Sequence, residues 1–317
     1  MNQKRIVARL CAATALLAFG TAGAQQWPSK PVTIVFGTAA GGPIDLISRV
    51  VGSQWEKKFG QKVIVENRPG ASSTVAGGVV ARAPGDGHTL LHGSLPPVGL
   101  FIKELSYDPF KDLTPVTILA TQAYYLLVSA KMNVRTLQDF IAYAKANPGK
   151  VSIGMIPIGP HEIETRVLVE KLGIQANVIG YRGLAVVYPA LMSGELNATL
   201  GATPPQLKTG EIVGLATGGS KRNANYPDMP TFREAGVDYG PNSIFPFFAP
   251  GTTPRDLVAR IASEAAAAVK SEEFAERITK IFSIEGSGVP PEVAAKMIRD
   301  EYDTGKRIAD KVGIKPQ

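Results

Sequence analysis

Apolar and polar positions along the 317-residue chain alternate between short β-branched runs and longer amphipathic stretches. Val32 to Phe36 reads as a strand, after which Leu46, Ile47, Val50, Val51 and Trp55 recur at helical spacing and predict a helix with one buried face. Gly60 follows the basic last turn Lys57-Lys58 as a stop signal. Lys62 to Glu66 predicts a second strand, Thr74 to Arg82 a short helix and Thr89 to Leu91 a third strand. This alternation predicts α/β architecture with parallel sheets covered on both faces.

Thr114 to Ser129 holds two apolar runs, Val116 to Leu119 and Tyr124 to Val128, separated by Ala120-Thr121-Gln122. Thr136 with Asp139 has the form of a capping box, opening a helix that ends before Asn147-Pro148-Gly149. The alternation then restarts, which predicts a second α/β unit. Its strands are Lys150 to Ile153, Asn177 to Ile179, Ala198 to Leu200 and Val213 to Thr217, and its helices are Glu162 to Lys171 and Val186 to Ser193. Ile244 to Ala249 predicts a further strand, and helices over Pro254 to Lys270, Ser271 to Lys280 and Pro290 to Arg307 close the chain. No internal repeat, low-complexity tract or long linker is visible.

The N-terminus changes the meaning of the composition. Lys4, Arg5 and Arg9 precede the apolar run Leu10 to Phe19 and the small residues Ala22-Gly23-Ala24, so residues 1–24 are expected to be a secretory signal cleaved before Gln25. The run is far short of the ~20 residues that span a bilayer, so no retained membrane segment is expected. The whole chain carries 34 basic and 27 acidic residues, net +7; without residues 1–24 the excess falls to +4. That surplus forms no basic block and has no aromatic interleaving, which argues against nucleic acid as a partner. The single cysteine, Cys11, lies in the signal, so an exported chain has neither disulfide nor thiol nucleophile.

A secreted hydrolase is the enzyme alternative, and its base would be His161 or His92. His88 lies in the turn Pro84-Gly85-Asp86-Gly87-His88, where a solvated or structural role is the simpler reading. His92 at a strand end and His161 at a helix start admit either ligand contact or a local structural role. No Gly-x-Ser-x-Gly elbow and no histidine spacing suited to a metal occurs, and neither metal nor cofactor is expected. Gly214 to Lys221 approaches a phosphate-binding loop but has Ser-Lys where Lys-Ser/Thr is required.

Two strand-end loops carry more chemistry. Gly37-Thr38-Ala39-Ala40-Gly41-Gly42-Pro43-Ile44-Asp45 leads from strand to helix; its glycines let backbone approach a ligand, and the helix start presents N–H groups to an anion. A tight turn serving geometry alone is the competing reading. Glu66-Asn67-Arg68-Pro69-Gly70-Ala71-Ser72-Ser73-Thr74 offers hydroxyls at the next strand end, or else a salt-bridged turn. On neighbouring strands, the two loops would line one side of a crevice.

Almost the whole exported chain resembles the Bug family, the periplasmic solute-binding components of tripartite tricarboxylate transporters. The resemblance rests on Trp27 to Val32, Ala39 to Asp45, Val65 to Ala71, Asp86 to Leu91, Tyr107 to Val116, Tyr226 to Gly236 and Phe248 to Pro254, in order along the chain. It implies a type II periplasmic-binding-protein fold: lobe 1 from residues 25–121 plus 245–317, lobe 2 from 122–244, and crossings near Thr121 to Tyr125 and Tyr239 to Phe245. It also implies that a ligand carboxylate is held by Thr38 to Asp45, facing the loop after strand Lys150 to Ile153 and the turn Tyr181-Arg182-Gly183. The ligand-binding positions so implied are Thr38, Ala39, Ala40, Gly41, Gly42, Asp45, Ser72 and Ser94 on lobe 1, with Met155, Ile158, His161, Arg182 and Gly201 on lobe 2.

Departures from the family pattern concern the ligand. Thr38 stands where an aromatic residue is usual, and Met155-Ile156-Pro157-Ile158-Gly159-Pro160-His161 replaces a Gly/Ser/Thr-rich loop. Gly201 stands where an Asp is common, and Leu184, Val186 and Val187 replace small or polar residues. Fewer hydroxyls and more apolar side chains favour a ligand with an apolar body, such as an aromatic mono- or dicarboxylate like terephthalate. An aliphatic carboxylate is the alternative ligand, and a ligand-sensing receptor is the alternative role. The expected partners are this small molecule and, transiently, inner-membrane transporter subunits, with the receptor acting as a monomer.

Overall fold

The computed structural model describes residues 27–38, 40–70, 73–93, 104–157, 159–204 and 206–313. The signal segment, Ala39, Ser72, Ser94 and Ile158 lie outside the described residues.

Among the described residues, eleven strands form two sheets. The six-stranded sheet contains β1 (Val32–Phe36), β2 (Val63–Asn67), β3 (Thr89–His92), β4 (Leu113–Ala123), β10 (Asn242–Pro250) and β11 (Ile284–Gly286), in the order β11-β4-β10-β3-β1-β2. The five-stranded sheet contains β5 (Tyr125–Ser129), β6 (Val151–Met155), β7 (Ala176–Gly180), β8 (Ala198–Gly201) and β9 (Ile212–Thr217), in the order β7-β6-β8-β5-β9. Helices α1 (Pro43–Phe59), α2 (Thr74–Ala81), α6 (Arg255–Val269) and α7 (Pro291–Val312) accompany the first sheet; α3 (Leu137–Ala146), α4 (Pro160–Leu172) and α5 (Leu184–Ser193) accompany the second.

Successive strand residues serve opposite faces, as a two-residue period requires. Ile34 and Leu90 pack with Trp55, Phe247 and Ile261 under α1 and α6, whereas Val35 and Leu91 pack with Val80, Phe248 and Ile298 on the other face. Leu126 and Leu127 divide the second sheet in the same way, toward Phe140 and Leu168 or toward Val187 and Leu191. Because both faces are covered, these strands read as continuous apolar runs.

The sheets are mixed rather than parallel, which corrects the sequence expectation. β1 is parallel to β2 and β3, but β10 runs antiparallel to β3 and β4, and β11 antiparallel to β4. In the other sheet β6 is parallel to β7 and β8, while β5 is antiparallel to β8 and β9. The reversed strands include those that carry the chain between sheets, and such a strand enters from the opposite end. β4 also continues through Ala120-Thr121-Gln122, where a break was expected. Those residues have partners on both sides: Ala120 pairs with Phe245 and Gly286, and Thr121 with Ile244 and Glu285. Ladder hydrogen bonds on both edges hold a segment that its side chains alone do not mark.

The chain leaves the first sheet at Tyr124 and re-enters it after Pro241. At this crossing Tyr124 N–H donates to Pro241 O at 3.0 Å, and Gly218 N–H donates to Tyr124 O at 2.7 Å. A Cβ at Gly218 would lie 1.9 Å from Pro241 O, so only glycine fits. The loop resembling a phosphate site therefore has its glycine for the crossing. Replacing Gly218 by Ala is expected to cost about 1–3 kcal/mol, since two backbone segments must separate. Urea denaturation would measure this, and a loss below ~0.5 kcal/mol would show that the crossing relaxes freely.

Candidate functional site

Two strand-to-helix loops build the site, one from each sheet. After β1 the chain passes through Gly37, where a Cβ would meet Ser73 Cα at 2.4 Å, so the first loop lies directly against the loop after β2. Asn67 Nδ2 donates to Thr38 O, tying the two loops as their neighbouring parallel strands predict. Arg68 pairs with Glu66 at 2.6 Å, the salt-bridged turn that was one reading of this segment. Gly41 adopts φ 82°, a conformation suited to glycine, and its N–H donates to Asp45 Oδ2 at 2.8 Å. Gly42 caps α1 and Pro43 opens it.

The second loop repeats this construction. Gly42-Pro43-Ile44-Asp45-Leu46-Ile47-Ser48-Arg49 at the start of α1 matches Gly159-Pro160-His161-Glu162-Ile163-Glu164-Thr165-Arg166 at the start of α4 in its Gly-Pro, acid, aliphatic, hydroxyl and Arg positions. The contacts match too. Asp45 pairs with Arg49 at 2.8 Å and Glu162 with Arg166 at 2.8 Å, while Ser48 Oγ donates to Ile44 O and Thr165 Oγ1 to His161 O, each at 2.8 Å. Each buried acid is thus neutralised one turn into its helix, leaving the positive helix start available to an anion. A search for long repeats passes over this eight-residue match; its signal is Gly-Pro-x-acid with Ser/Thr-Arg three residues beyond.

Between the two helix starts lies a pocket of about 220 Å³. Ile44 lines it from α1, and Ile156, Pro157, Gly159, Pro160 and His161 from the α4 side. The crossing strands supply Tyr124, Ser243, Ile244, Phe245 and Pro246. Most of this wall is apolar. Tyr124 bonds to Ser243, and burial pushes its phenol pKa up, so it stays neutral.

Neither His161, whose ring nitrogens are both bonded to backbone, nor His92, sealed away from the pocket, is placed to act as a base. His161 Nδ1 accepts from Ile156 N–H at 3.0 Å, which leaves the proton on Nε2, donated to Leu200 O at 2.9 Å. Burial lowers its pKa, and its ring packs edge-on against Tyr124 at 5.5 Å. His92 is fully buried beneath α1, and because Ser48 Oγ donates to Ile44 O, His92 Nδ1–H donates to Ser48 at 2.8 Å. Burial pulls its pKa down to about 3. His88 accepts from Ser29 N–H and faces Asp86, a structural role. Among the described residues, no group of three or more His, Cys, Asp or Glu could hold a metal ion.

The remaining candidates divide clearly. Thr38, Ala40, Gly41, Gly42 and Asp45 do not line this pocket, to which their segment contributes Ile44, and Asp45 accepts from Gly41 N–H. Met155 is buried at the end of β6, next to the pocket but not part of its lining. Arg182 is exposed, follows Tyr181, whose N–H donates to Met155 O at 2.8 Å, and forms no ion pair with a described residue. Gly201 ends β8, where a Cβ would meet the Tyr188 hydroxyl at 3.1 Å; that hydroxyl donates to Ala202 O. Of the apolar residues after Gly183, Val187 is buried in the core and Val186 is exposed, so neither faces the pocket, contrary to expectation. Sequence reasoning missed Tyr124, Ser243, Phe245 and Pro246 as lining, because crossing strands carry no motif. A larger groove of 690 Å³ is lined only by residues from Arg135 to Ala235, all on one side of the crossing.

Two α/β lobes, a double crossing and a pocket between opposed helix starts define a solute-binding protein. The sequence profile described as "Tripartite tricarboxylate transporter family receptor" matches residues 47–314, and the chain belongs to that family. A Cupriavidus necator protein described as "UPF0065 protein in gbd 5'region" is 31% identical over 328 residues, covering 99% of both chains. Among solved structures, Rpa4515 of R. palustris with adipate is 28% identical with a TM-score of 0.75, covering 92% of this chain and 100% of that one. MatC (Rpa3494) from Rhodopseudomonas palustris with bound malate is 26% identical with a TM-score of 0.71, covering 89% and 99%. The Bug resemblance and the periplasmic-binding-protein fold therefore hold, and the chain is a receptor rather than an enzyme. Among the described residues, no helix is long and apolar enough to cross a membrane.

His161→Ala is expected to lower stability by about 2–4 kcal/mol, because Ile156 N–H and Leu200 O both lose their partner. Urea denaturation would measure it; a loss under ~1 kcal/mol would mean that water replaces the ring.

Proposed function

We propose that this receptor, exported to the periplasm by cleavage after residue 24, captures a dicarboxylate with an apolar middle and delivers it to the membrane subunits of its transporter. The observation that carries this reading is the matched pair of helix starts facing a single pocket of about 220 Å³. Two positive helix ends suit a ligand with an anion at each end. Between them, Ile156, Phe245 and Pro246 suit hydrocarbon, which contributes about 25 cal/mol per Å² buried. A flat ring fills such a gap at low conformational cost, so an aromatic dicarboxylate such as terephthalate is the favoured ligand.

A second reading, an aliphatic dicarboxylate, is supported by the adipate of the R. palustris relative. Arg182, without an ion-pair partner beside the α4 loop, is assigned as a counter-ion for one carboxylate. The lobes close as a monomer by rotating about Tyr124 and Pro241, and membrane partners read the closed shape.

Calorimetric titration with terephthalate, adipate, malate, citrate and amino acids is expected to give the tightest binding for terephthalate. Tightest binding of an amino acid would overturn the dicarboxylate reading. Arg182→Ala is expected to weaken binding about 10-fold or more; unchanged affinity would withdraw that assignment. Small-angle scattering is expected to show a smaller radius of gyration at ligand saturation, and an unchanged radius would exclude closure in solution.

A further inference from the structure

Helix α7 belongs to both lobes. Ala294 and Ile298 pack in the core of the six-stranded sheet, whereas Ile308, farther along the same helix, packs in the core of the five-stranded sheet. Glu301 lies between these anchor points, where α7 runs against α4. On the outer part of this seam, Arg307 and Lys311 hold Glu170 of α4 at 2.8 and 3.2 Å. Nearer the centre the cations stop and the acids do not.

Glu301 Oε2 is buried there without a hydrogen-bond partner. Glu164 of α4 is close enough to repel it, and accepts from the Tyr239 hydroxyl at 2.7 Å. Tyr124 senses both carboxylates. One acid from α4, one from the lobe-spanning α7 and one tyrosine from each crossing thus come together in a single cluster. Of the other charged groups on the two helices, Glu162 pairs with Arg166, Lys296 with Asp300 and Lys306 with Asp310, and Arg299 stacks over Phe110, against which Tyr302 also packs; Glu292, Asp303 and Lys171 form no ion pair with a described residue. His161 is neutral, Ser243 bonds Tyr124, and both tyrosines are held protonated by burial. No described cation forms an ion pair with Glu164 or Glu301.

We infer that Glu164 and Glu301 form a proton-operated latch: the lobes seat along the α4–α7 seam while at least one of these carboxyls is protonated, and the seam loosens when both are ionised. Two buried, mutually repelling carboxylates resist joint ionisation. Burial raises Glu164 to about 7, and burial with repulsion from Glu164 raises Glu301 to about 8. Separated in water, both would ionise near the ordinary 4.5. The seated form therefore binds more protons from about pH 5 to about pH 8, and seating weakens as pH rises, by up to tenfold per pH unit for one proton.

The latch rests on the lobe motion of the proposed function, but its test needs no ligand. Thermal unfolding of the ligand-free full chain would be followed from about pH 6 to about pH 9, comparing wild type with Glu301→Gln and Glu164→Gln. Wild type is expected to lose stability toward the alkaline end, and each variant to lose much of that dependence. Parallel pH profiles would overturn the latch. Small-angle scattering over the same range is expected to show wild type expanding while Glu301→Gln keeps its radius, and a pH-invariant wild-type radius would also overturn it. A carboxylate titration of the same samples separates this outcome from failure of the binding proposal.

Discussion

Both crossings depend on the peptide groups of Tyr124. Its N–H and C=O are bonded to Pro241 and Gly218, so the two strands that join the lobes are pinned to each other and to the end of β9. Its ring lies against His161, which in turn fixes Ile156 and Leu200. A single residue therefore links the passage between the sheets, the floor of the pocket and the loop that opens α4. The backbone at this crossing has almost no slack: Gly218 already touches Pro241 as closely as a residue without Cβ can.

The parts of the fold legible in the sequence are those specified locally. Val32–Phe36 is an apolar run bounded by proline and glycine, and the strand has those bounds. Thr136 and Asp139 form the reciprocal cap their spacing indicates, with both hydrogen bonds at 3.1 Å. Gly60 ends α1 in the left-handed conformation. What escaped is held by partners distant in sequence. β11 is three residues long and exists because β4 offers a free edge. The continuity of β4 through Ala120 to Gln122 has the same cause, and the last turns of α7, to Val312, are held by Ile308 packed in the core of the second lobe.

The site shows the same division. The loop from Gly37 to Asp45 stood out because glycine, proline and an acid next to a strand end have few uses. His161 stood out through its chemistry, yet its nitrogens are both consumed by backbone, so its role is to shape the α4 loop. Lining residues from the crossing strands, Phe245 and Pro246 among them, are indistinguishable in sequence from core. Likewise, nothing local marks Glu164 and Glu301 as neighbours; they meet only because α7 extends across both lobes. Net charge is equally silent about any local field at the two helix starts, where oriented peptide groups act irrespective of the total.

The near-identity of those helix starts has a consequence for ligand symmetry. A site whose two ends are built alike discriminates poorly between the ends of what it holds, so a molecule that is the same at both ends can enter either way round. Where the two ends are equivalent, a molecule with a head and a tail also binds in two orientations, worth RT ln 2 or about 0.4 kcal/mol; where they differ, it is left with one. The likeness fails within the pocket lining itself, where Ile44 on one side stands against His161 on the other.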